Sequence, residues 1–145
     1  MPVSRTLRQR ILNQAHYRCE YCQIAEWPLT IDHVVPVVAW RSATLPAFAP
    51  DDPSNLAAAC SHCNRAKWGA TIGYDPETAA EQPLFHPRRD RWDAHFAWAD
   101  NYLLLVGLTP VGRATVARLR LNRDAYRRQR SLLRAATRAS ETAWP

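Results

Sequence analysis

Apolar residues recur at Leu7, Ile11 and Leu12 near the start of the chain, with Arg5, Arg8 and Arg10 on the other side. That spacing predicts an amphipathic helix, capped by Ser4 and running to about Ala15. The pattern then changes. LTIDHVVPV, residues 29–37, is rich in β-branched residues and closed by Pro36, so it reads as a strand with an irregular end. NLAAA, residues 55–59, reads as a short apolar return strand. Between them, residues 40–53 carry Pro46, Pro50 and Pro53 beside Asp51 and Asp52, which predicts a loop folded on itself. A short helix is expected from about Asn64 to Trp68, stopped by Gly69.

Residues 72–90 are dense in turn formers and are expected to wrap the surface. DRWDAHFAWAD, with Trp92, Phe96 and Trp98, predicts a short helix with one apolar face, and YLLLVGL predicts a strand. Thr109 followed by Pro110 is a cap and first-turn signal for a helix ending near Asn122. A second, arginine-rich helix is expected over about Asp124 to Ala139. The expected class is α+β in a single domain spanning residues 1–145. Its motif core spans 16–70, with helices at both termini and a helical extension over 90–140.

The chain has 145 residues, enough to bury about 68–70% of the unfolded surface. It has no run of about 20 apolar residues and no signal-type stretch, so no membrane partner and a cytoplasmic location are expected. The formal charge is +6, carried almost wholly by arginine, with Lys67 the only lysine. Arginine makes forked contacts with phosphate, which favours a polyanionic partner. The six tryptophans are expected in the core.

Candidate chemistry begins with cysteine. Four cysteines fall into two pairs, Cys19 with Cys22 and Cys60 with Cys63, each with two residues between. Two such knuckles present four thiolates to one tetrahedral zinc ion at about 2.3 Å. A pair of disulfides is the alternative, and it requires an oxidising compartment of which the chain gives no sign. The insert between the pairs contains Asp32, His33 and Asn55, and Asn64 follows Cys63 directly. A zinc ion at both ends of the insert would fix a strand, a loop, a return strand and a helix start against one another. Structural zinc supplies about 10–16 kcal/mol to such a fold.

The order C-x2-C, IDHVVP, NL, C-x2-CNRAK over residues 16–68 resembles the HNH endonucleases, the ββα-metal nucleases. The later PLFHPRRDRWDAHFAW and GLTPVGRATV resemble the continuation in one group of small bacterial HNH proteins. The resemblance implies a zinc-stapled ββα-metal core that cuts DNA. His33 is then the general base, and Asn55 pins the loop that aims it. Asp32 and Asn64 become ligands of a catalytic divalent cation, and the four cysteines hold the structural zinc. Because both proposed cation ligands offer hard oxygen, Mg²⁺ or Mn²⁺ is the expected ion.

Strand geometry sets a condition on this reading. Adjacent residues of a regular strand face opposite ways, so Asp32 and His33 require a bulge or a strand end to meet at one phosphate. Arg65 and Lys67, next to Asn64, are expected to contact nucleic acid. His62 is expected to meet solvent or DNA. The rival reading is a non-catalytic zinc-ribbon module that binds nucleic acid, which shares the zinc and the charge but needs no convergence of Asp32, His33 and Asn64.

Overall fold

The computed structural model describes residues 2–25, 28–41 and 49–142. Helix α1 spans Arg5–Gln14, and the Ser4 hydroxyl accepts the Leu7 N–H at 3.2 Å. Its buried face, Ile11 and Leu12, packs against Leu56 and Ala58. These belong to β2, Leu56–Cys60, which pairs antiparallel with β1, Leu29–His33. β2 is buried on both faces: Leu56 and Ala58 meet α1, while Ala59 and Cys60 join the main core. Three successive alanines let elements approach both sides of this strand.

Helix α2, Ser61–Lys67, starts at the second cysteine knuckle itself, because Cys60 Sγ caps it by accepting the Cys63 N–H at 3.3 Å. It therefore begins earlier than expected from the sequence. It stops at Trp68, which takes the left-handed conformation at φ 48° one residue before Gly69. Residues 42–48, half of the loop over 40–53, lie outside the described residues, which resume at Ala49.

The stretch expected to wrap the surface contains a hairpin, β3 (Ile72–Tyr74) with β4 (Glu81–Pro83). Asp75 closes its turn by accepting the Glu77 N–H and the Thr78 hydroxyl. The helix expected over 90–100 is one turn, α3 (Trp92–His95), followed by strand β5 (Phe96–Ala99). The two-residue step from Phe96 to Trp98 is strand spacing, and three left-handed residues, Asp100 to Tyr102, return the chain into β6 (Leu104–Gly107). Helix α4 spans Pro110–Leu119, with Thr109 Oγ1 accepting the Gly112 N–H as expected, and α5 spans Asp124–Thr142.

Glycine lets α4 press onto β6. A Cβ on Gly112 would lie 2.1 Å from the His95 carbonyl oxygen, and one on Gly107 would lie 2.4 Å from the Arg113 nitrogen. The fold is α+β, with three two-stranded sheets among the described residues. The four cysteines lie in its main core with Phe85, Phe96, Leu105, Leu119, Leu121 and Tyr126. No helix among the described residues is long and apolar enough to cross a membrane.

Candidate metal centre and catalytic cluster

All four cysteines are buried and free, and their sulfurs lie within 4.8 Å of one another. Cys22 Sγ and Cys60 Sγ are 3.9 Å apart. A tetrahedron with metal–sulfur bonds of about 2.3 Å has edges of about 3.8 Å, whereas a disulfide needs about 2.05 Å. The cluster therefore has zinc geometry. Backbone N–H groups of Cys22 and Cys63 point at Cys19 Sγ and Cys60 Sγ, and the Tyr126 hydroxyl lies 3.2 Å from Cys63 Sγ.

Burial pushes the Cys22 and Cys63 thiols up, while hydrogen bonds from Cys19, Cys22 and Cys63 hold Cys60 down. Four thiolates can coexist here only around a cation, which these ligands fit as Zn²⁺. The buried Arg130 guanidinium adds a fixed positive charge near them, held by the Leu103 and Leu121 carbonyls.

At the far end of the hairpin stands His33, the last residue of β1. The register runs unbroken through Asp32 opposite Ala57 and His33 opposite Leu56, so the pair meets a strand end and no bulge. The His33 ring is 19% exposed, and its Nε2 lies 2.7 Å from Asp51 Oδ1. Asn55 builds this corner. Wholly buried, it accepts the Val35 N–H at 2.9 Å and donates to the Val35 and Pro50 carbonyls at 3.0 Å. Its own carbonyl accepts the Val34 N–H. Asp52 caps the turn Pro53–Asn55 through the Ser54 N–H. The segments after His33 and around Asp51 are thus clamped together.

Asp32 turns the other way, under α2. Its carboxylate accepts the Tyr21 hydroxyl at 2.7 Å and faces the Lys67 ammonium at 3.3 Å. Burial, and then the Asp32 charge, push the Tyr21 phenol up, so Tyr21 serves as a donor. Lys67 also reaches the Val34 carbonyl at 3.0 Å. At 1% exposed, Lys67 is closed to phosphate, which corrects its expected nucleic-acid contact. Asn64 donates through Nδ2 to Thr30 Oγ1 at 2.9 Å.

The side chains of His33, Asp32 and Asn64 therefore share no partner. Asp32 is matched by a lysine, so Asp32 and Asn64 do not form an open oxygen site for a divalent cation in this arrangement. His62, half-buried, meets Arg123, whose Nη2 lies 2.7 Å from His62 Nδ1. Arg65 is exposed.

Sequence reasoning missed three partners. Asp51 reads as one of two loop-forming aspartates, although its place four residues before Asn55 puts it on the clamped loop. Tyr21 is hidden inside the first knuckle. Glu20, also in that knuckle, is bound bidentately by Arg88 at 2.5 and 2.7 Å and accepts the Ala58 N–H.

These features agree with the comparison to known families. A family model described as HNH endonuclease matches residues 19–68, from the first zinc-type cysteine to the end of α2. Over that stretch the chain is similar to HNH endonuclease domains, a likeness that points to a nucleic-acid substrate. No curated protein and no solved structure matches the chain.

Proposed function

We propose that the protein is an endonuclease that hydrolyses DNA phosphodiester bonds with His33 as general base. The observation that carries this reading is the partly exposed His33–Asp51 pair, held at the end of a zinc-type hairpin within the HNH match. With Nε2–H donated to Asp51, the neutral imidazole keeps Nδ1 as an acceptor for a water proton. The carboxylate then stabilises the imidazolium as it forms. Asn55 positions this pair by tying Val35 to Pro50.

The proposal includes a divalent cation, Mg²⁺ or Mn²⁺, because HNH nucleases generally use one. Asp32 could ligate it only by giving up its pairing with Lys67. Zinc at the four cysteines has a structural task, since it joins the end of β2 to the first knuckle and the start of α2. A non-catalytic nucleic-acid module would have no use for a histidine oriented by a carboxylate.

The test is relaxation of supercoiled plasmid with Mg²⁺, Mn²⁺ or EDTA. His33→Ala is expected to lower nicking about 10²- to 10⁴-fold, with zinc content and DNA binding retained. Equal nicking by both proteins overturns the assignment. Binding without nicking by the wild type under every cation supports the module instead.

A further inference from the structure

Trp68 is the most exposed of the large apolar side chains among the described residues, at 81%. It occupies a left-handed backbone position at φ 48°, a conformation that a bulky residue adopts at a cost. Neither burial nor backbone preference explains an indole here. Its backbone is fixed, because the Trp68 N–H is donated to the Asn64 carbonyl at 3.1 Å, closing α2.

The indole borders an open depression of about 470 Å³ lined by Thr30, Ser61, Asn64, Arg65, Trp68 and Gly69. No acidic residue among the described residues lines it. Its rim offers two hydroxyls, an amide and one exposed guanidinium, with Arg65 one helical turn before Trp68. Gly69 also abuts Pro36, three residues past His33: a Cβ there would stand 3.4 Å from the Pro36 Cβ. The aromatic ring thus adjoins the segment that leaves the proposed catalytic corner.

We infer that this depression receives an unpaired base of a DNA strand, stacked on Trp68, with the adjoining phosphate on Arg65. An exposed indole beside an arginine matches the two components of single-strand binding, a stacking face and a backbone charge. Base pairing and stacking inside a regular duplex deny the ring a base face. The site therefore selects DNA that is single-stranded, frayed or bubbled. This inference rests on the nucleic-acid reading of the HNH segment and deepens it by naming the form of DNA recognised.

The experiment is fluorescence-anisotropy binding with the zinc-loaded protein in chelator-free buffer lacking Mg²⁺ and Mn²⁺, so that no added cation supports cutting, using a single-stranded oligonucleotide, a duplex with a central bubble, a fully paired duplex and the equivalent RNA. Trp68→Ala is expected to weaken single-stranded and bubbled DNA at least about five-fold and the paired duplex less than two-fold, with Trp68→Phe retaining most of the affinity. Equal loss on all substrates, no loss on any, or tighter binding of RNA than of DNA overturns the inference. Because cutting plays no part in this measurement, its failure is distinct from a failure of wild-type nicking.

Discussion

Replacement of Lys67 by methionine tests the ion pair that separates Asp32 from solvent. The Lys67 ammonium lies 3.3 Å from Asp32 Oδ2, with the side chains 1% and 6% exposed. At that distance, in an effective dielectric of about 20, the bare attraction is about 5 kcal/mol. Desolvation of both charges offsets much of it, but the variant leaves the carboxylate buried without a counter-charge, which costs about 3–5 kcal/mol. Methionine preserves most of the aliphatic volume, so the cavity contribution is small. Urea unfolding of the zinc-loaded protein, followed by tryptophan fluorescence, should show that loss. Adding Asp32→Asn to Lys67→Met should recover most of it, because the neutral amide still meets the Tyr21 hydroxyl. A single variant within about 1 kcal/mol of wild type, or a double variant no better than the single, refutes the reasoning.

Zinc removal should be more severe. Structural zinc contributes about 10–16 kcal/mol, against a total stability of about 5–15 kcal/mol for ordinary domains. Cys60→Ser or a strong chelator should therefore abolish the cooperative urea transition, and native protein should carry one zinc per chain by metal analysis. A cooperatively folded zinc-free protein contradicts the assignment. The Asp75–Arg113 pair makes a pH prediction. Hydrogen bonds from the Arg113 guanidinium at 2.9 and 2.7 Å hold the Asp75 carboxyl at about 2, below the unfolded value of about 3.9. The unfolded chain takes up this proton first, so the pair's contribution is complete above about pH 4 and lost as pH falls toward 2. The stability difference between wild type and Arg113→Gln should shrink between about pH 4 and pH 2, and a constant difference rules the linkage out.

The legible parts of the chain were those governed by local chemistry. Ser4 and Thr109 cap the helices that their positions announce, and the cysteine spacing announces the sulfur cluster. What could not be read was decided by long-range pairing. Residues 96–99 became a strand because Leu104–Gly107 lies beside them, which outweighs a helical spacing of Trp92 and Phe96. Trp68 was expected inside with the other tryptophans, yet it caps α2 from solvent. At the candidate site, HNH order marked His33, Asn55, Asp32 and Asn64, but alternation along β1 sends Asp32 and His33 to different neighbours. The partners Asp51 and Tyr21 carry no spacing signal, and Lys67 reads as an exposed helix charge until α2 folds onto β1.

Residues beyond the HNH match take part in the same centre. Tyr126 of α5 reaches Cys63, Arg123 reaches His62, and Trp92 donates its indole N–H to the Tyr21 carbonyl between the two knuckle cysteines. Arg88 clamps Glu20, which in turn holds β2 at Ala58, and Arg118 donates to the Lys67 carbonyl at the end of α2. Each of these contacts supplies a partner to a polar group that the matched segment alone would leave to water. Phe85, Phe96, Leu119 and Leu121 cover the cysteines themselves. A fragment of residues 19–68 would thus keep its metal ligands and lose most of the apolar shell that shields them, together with the Arg88 clamp on Glu20. The metal end of the hairpin therefore depends on residues more than 50 positions away in the chain.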